Sequence, residues 1–143
     1  MHLIIKHELL FALNALKDGG SIMLVAPTSD HASTFFYISR LLPCCNQKGT
    51  TQPIRIIPTN KPARNPVYIL FQNIQIESSA TVAFKNYLAE TDVTVENDDK
   101  WALHSWEEAS DGFNSCRSDL EALWEAKWLA LYNDRIAAEE TCD

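Results

Sequence analysis

Residues Leu9 to Pro27 read LLFALNALKDGGSIMLVAP, and this stretch decides the fold. Leu9, Leu13 and Leu16 recur at spacings of four and three, and Leu10, Phe11 and Ala12 widen the apolar face, so the spacing predicts an amphipathic helix. Gly19 and Gly20 stand where a helix C-cap needs a residue of positive φ. Ser21 to Ala26 is then a short apolar run, too brief for a helix. It reads as a strand buried on both faces, as in a parallel sheet sandwiched between helices. The chain therefore reads as α/β. Its first helix stands where a strand should already have preceded it.

Working outward, 143 residues with 46% hydrophobic content suit one domain with a real core. No apolar run approaches the roughly eighteen residues of a membrane span. The start, MHLIIKHELL, has no cleavage pattern and predicts no signal peptide. Cys44, Cys45, Cys116 and Cys142 form neither a CxxC pair nor a disulfide framework, so reduced thiols in an intracellular protein, cytoplasmic or nuclear, are expected. The net charge of −7 is unevenly divided. Up to Ile76 there are seven Lys and Arg against three acidic residues; beyond it, five against sixteen. A nucleic-acid partner would have to meet the first half, because the acidic second half repels phosphates and reads as a solvated helical surface.

A helix over His31 to Leu42 follows the first strand and is ended by Pro43. CCNQKGTTQP, residues 44–53, reads as a polar loop. Ile54 to Ile57 is a second strand, Pro58 to Pro66 a wide loop with three prolines, and Val67 to Ile74 a third strand rich in β-branched and aromatic residues. The helix between the first two strands implies that they run parallel, and the helix-free loop implies that the third runs antiparallel to the second. Ser78 or Ser79 can cap a helix over 80–90. Thr91 to Lys100 reads as an acidic linker, Trp101 to Ala109 as a short helix begun by Asp98 or Asp99, and Phe113 to about Ala138 as a long one. The tryptophans at 101, 106, 124 and 128 are expected to pack this tail onto the sheet.

The ordered pieces Leu9–Leu16, Gly19-Gly20-Ser21, the strand to Val25, Lys61-Pro62, Arg64 and Val67-Tyr68-Ile69 resemble the second half of a Rossmann-like S-adenosylmethionine-dependent methyltransferase. More narrowly, they resemble the FtsJ-type RNA 2′-O-methyltransferases and their fungal FtsJ-like relatives. The resemblance covers about residues 7 to 76. It implies a partial Rossmann-like sheet in residues 1–76, two parallel strands plus a terminal antiparallel one, followed by an acidic, Trp-containing helical extension over 77–143. It also implies S-adenosylmethionine as cofactor and RNA as substrate, with the basic residues Arg55, Lys61 and Arg64 as the RNA contacts.

The chain departs from the family where the chemistry lies. Its only glycines are Gly19, Gly20, Gly49 and Gly112, so the glycine-rich turn that cradles the cofactor has no counterpart. The family's catalytic set is two lysines, an aspartate and a glutamate. One lysine closes the strand after GG, where this chain has Val25, and the glutamate precedes the last strand, where it has Pro66. An alkyl group cannot stabilise an alkoxide and a proline offers no carboxylate, so no catalytic residue carries over. Ser29-Asp30-His31 are consecutive and cannot converge as a triad. The scattered His2, His7, His31 and His104 suggest no metal site. The expectation is a truncated or divergent methyltransferase-like half, inactive alone, whose exposed sheet edge at residues 21–26 self-associates or takes a partner chain. The alternative is a non-catalytic α+β module that binds a protein.

Overall fold

A computed structural model describes residues 2–26, 32–46, 48, 52–57, 66–90 and 106–141. Helix α1 (His2–Ala15) leads into β1 (Gly20–Ala26), and α2 (Ala32–Leu41) is extended by a 3-10 turn over Leu42–Cys44. Then come β2 (Ile54–Ile57), β3 (Val67–Ile74), α3 (Ser79–Glu90), α4 (Trp106–Ser115) and α5 (Arg117–Thr141). Gly19 takes a φ of 78°, as the glycine pair predicts, and its N–H reaches the Ile74 carbonyl at 2.8 Å. The end of α1 is thus tied to the end of β3. Ser78 caps α3, accepting the Thr81 N–H at 3.2 Å.

The protein is α/β, but its sheet is antiparallel throughout, in the order β1-β3-β2. β1 and β2 point the same way, yet they form no parallel ladder, because β3 lies between them and pairs with both. β3 is the longest strand, and it alternates buried Val67, Ile69 and Phe71 with half-buried partners. It takes the position where both backbone edges are satisfied, and the shorter β1 and β2 take the edges.

The register gives the sheet two unlike faces. On one, Ile22, Leu24 and Ala26 align with Phe71, Ile69 and Val67, and these with Ile54 and Ile56. They join Leu9 and Leu13 of α1, Ile38 and Leu41 of α2, and Phe84 and Leu88 of α3 in the core. On the other lie the rows Met23–Leu70–Arg55 and Val25–Tyr68–Ile57. Met23 and Val25 are each 53% exposed. So β1 is buried on one face only, not on both. Its continuous apolar sequence could not reveal this, since a row lacking a cover reads the same as a row that has one.

The tail also differs from expectation. Gly112, which falls between the helices expected over 101–109 and 113–138, lies inside α4 and is buried. A Cβ there would fall 1.8 Å from the Phe35 carbonyl oxygen, so the glycine permits α4 to lie against α2. Ala109, Cys116 and Leu120 are buried in the same core. The Arg40 guanidinium fastens the layers, donating to Glu108 of α4 (Nη2 to Oε1, 2.9 Å) and lying 4.3 Å above the Tyr87 ring of α3. Trp124 packs against the core, but Trp106 and Trp128 do not pack the tail onto the sheet. Trp106 and Trp128 are 71% and 67% exposed, and the half-buried Trp124 stacks on Phe113. Trp101, the 91–100 linker and its Asp98 and Asp99 lie outside the described residues.

Candidate functional site

β1 and β2 run in one direction and end together, and β3 begins beside them. Ala26 is opposite Val67, and Ile57 is opposite Tyr68. In open α/β sheets ligands gather at the carboxyl ends of such strands. The segments leaving this end are 27–31 and 58–66, the second of which carries Lys61 and Arg64. Both of those residues lie outside the described ones, as do His31 and His104. Arg55 is described. It is exposed on edge strand β2, on the open face in the same row as Leu70 and Met23.

The two positions at which the resemblance expects a lysine and a glutamate are also at this end. Val25 is opposite Tyr68, and Pro66 precedes the first residue of β3 and is exposed. The strand geometry thus brings the two positions to one rim, but the side chains that occupy them can neither donate nor accept a proton. What the rim and the open face offer instead is apolar surface, with the Tyr68 phenol and the Arg55 guanidinium.

A polar cleft of about 310 Å³ opens at the opposite end, lined by Gly19, Ser21, Asn46, Gln52, Gln72 and Asn73. The Gln72 Oε1 is buried there without a hydrogen-bond partner. Asn73 adopts a φ of 57°, and its side-chain oxygen accepts from Gln75 Nε2 at 3.1 Å. Among the described residues no carboxylate lines the cleft, and it faces the amino ends of β1 and β2. It does not fit a cofactor whose ribose is held by an acidic residue at the carboxyl ends. A second, apolar groove of about 190 Å³ follows the outer edge of β1, between Ile5, Glu8, Leu9 and Ala12 of α1 and the strand. Among the described residues no further strand pairs with that edge.

The three described thiols are structural. The polar-loop reading of residues 44–53 fails at its start, because Cys44 and Cys45 are buried in the core, and Cys45 bridges to Ile74. Cys44, Cys45 and Cys116 are unbridged, each donating to the carbonyl four residues back. Burial raises all three pKa values, those of Cys45 and Cys116 to about 11. The neighbouring Cys44 adds to the rise at Cys45, and Asp119 to that at Cys116. These are poor nucleophiles. Among the described residues no group of three His, Cys, Asp or Glu is placed to hold a metal ion, and no helix is long and apolar enough to cross a membrane. In comparisons with known proteins, no protein-family model matches the chain, and no curated protein and no solved structure matches it.

Proposed function

We propose that this chain carries the second half of an FtsJ-type methyltransferase-like domain and performs no methyl transfer alone, a partner segment or chain completing its sheet. The observation that carries this reading is the combination of strand direction and incomplete cover. Two strands run alike with an antiparallel third, Met23 and Val25 stand exposed on one face, and among the described residues no further strand pairs with either edge of the sheet. The order helix, GG, strand, helix, strand, strand is that of the resemblance, and the edge groove along β1 offers a bed for a further strand. RNA is the proposed substrate class, met by Arg55, Lys61 and Arg64. An intracellular setting accords with the unbridged thiols.

A purely protein-binding module is favoured by one observation, the apolar open face of Met23, Val25 and Leu70. Against its self-sufficiency, α4 packs on α2, and only Leu120 of α5 is fully enclosed, so neither helix closes the sheet. Calorimetric titration of the isolated chain with S-adenosylmethionine tests the first reading. No heat of binding is expected, and micromolar affinity in a monomer would overturn the proposal that these residues do not bind the cofactor alone.

A further inference from the structure

We propose that α5 is a self-association element: a second copy of this chain docks along it, antiparallel, about a two-fold axis at Trp128. The helix has 25 residues, about 37 Å of length. Only Leu120, in its first turn, is fully buried. Trp128 and Tyr132 remain 67% and 62% exposed. The helix is held to its domain through its first two turns, by Leu120, Leu123 and Trp124, and the bare aromatic rings beyond them mark a contact surface.

The sequence about Trp128 identifies the occupant. Tyr132 stands as far beyond Trp128 as Trp124 stands before it, and Arg135 likewise answers Glu121, and Glu139 answers Arg117. At about 100° per residue, all of these lie within about 40° of the Trp128 direction, on one face. In an antiparallel pair centred on Trp128, each residue meets the one equidistant on the other side. Aromatic then meets aromatic, and every charge on the face meets its opposite. Glu125 and Leu131 depart from the pattern, and both sit at the rim, about 60° round.

The ion pairs within the helix fit the same scheme. Arg117 contacts Glu121 at 2.8 Å and Arg135 contacts Glu139 at 3.2 Å, all four side chains being more than half exposed. Docked antiparallel, the Arg117–Glu121 pair of one copy lies against the Arg135–Glu139 pair of the other, closing a ring of alternating charge at each end. A parallel pair in register would set Arg117 against Arg117 and Glu121 against Glu121. The charges therefore select the antiparallel orientation, which also opposes the two helix dipoles.

Sedimentation of the full chain over a concentration series tests this. A reversible dimer is expected, loosening as salt rises. Exchanging Arg117→Glu together with Glu121→Arg keeps the net charge and both intrahelical pairs, yet sets like charges across the interface. It should weaken association by at least about tenfold. Adding Arg135→Glu and Glu139→Arg restores every contact and should restore the dimer, with circular dichroism confirming equal helix content. A chain monomeric throughout overturns the proposal. So does a dimer indifferent to the first exchange, which would place association elsewhere, as on the β1 edge.

Discussion

Gly112 shows how much one missing carbon can decide. With the Phe35 carbonyl 1.8 Å from where a Cβ would stand, any side chain forces α4 away from α2 and strains the Arg40–Glu108 contact beside it. Gly112→Ala should therefore cost about 2–3 kcal/mol, although alanine is the better helix former, and urea unfolding measures it. The buried thiols make a second prediction at this scale. The folded state holds Cys45 and Cys116 protonated up to about 11, whereas the unfolded chain releases those protons from about 9.0. Between these values the unfolded state binds fewer protons, so stability is complete below pH 9 and falls as pH rises towards 11. Melting curves across that range should show the fall, and Cys45→Ala with Cys116→Ala should flatten it.

At the scale of elements, β1 carries the sharpest contrast between sequence and structure. A strand sealed on both faces would lose several kcal/mol on replacing Met23 and Val25 with threonine. Because both side chains stand more than half exposed, Met23→Thr with Val25→Thr should change the stability of the isolated chain by less than about 1 kcal/mol, read by thermal denaturation. The glycine pair, the third strand and the serine cap were legible because each is fixed locally, by a φ angle, a residue type or one hydrogen bond. The exposure of Met23 and Val25 depends on what covers the sheet, and an all-apolar run encodes no such difference. The helix boundary expected between Ala109 and Phe113 was misplaced for a related reason, since a glycine that ends a helix and one that admits a neighbouring helix are the same letter. The buried Cys44 and Cys45 were hidden in the same way, by polar neighbours in sequence. Of the candidate site, Arg55 on β2 was legible. Its alignment with Leu70 and Met23 was not, since register across β3 comes from long-range pairing.

For the whole molecule, the division of charge frames what the chain can meet. Seven basic residues lie in the part that forms the sheet, and the acidic excess lies in α3 to α5 and the segments around them. On the proposed reading, binding to single-stranded RNA should be weak and strongly salt-dependent. Replacing Arg55, Lys61 and Arg64 with alanine together should lower the slope of log affinity against log salt by about 2. A slope unchanged in filter-binding assays would favour the protein-binding alternative.

The strand order has a consequence for how this chain comes off the ribosome. β1 and β2 never touch as a pair, and each finds its hydrogen bonds only in β3. With residues up to Ile57 made, two apolar strands exist and neither has a partner. The sheet closes only when Val67 to Ile74 has emerged and slid between them, so β3 acts as a latch on both. Until then, the segment from Gly20 to Ala26 is open to wrong partners.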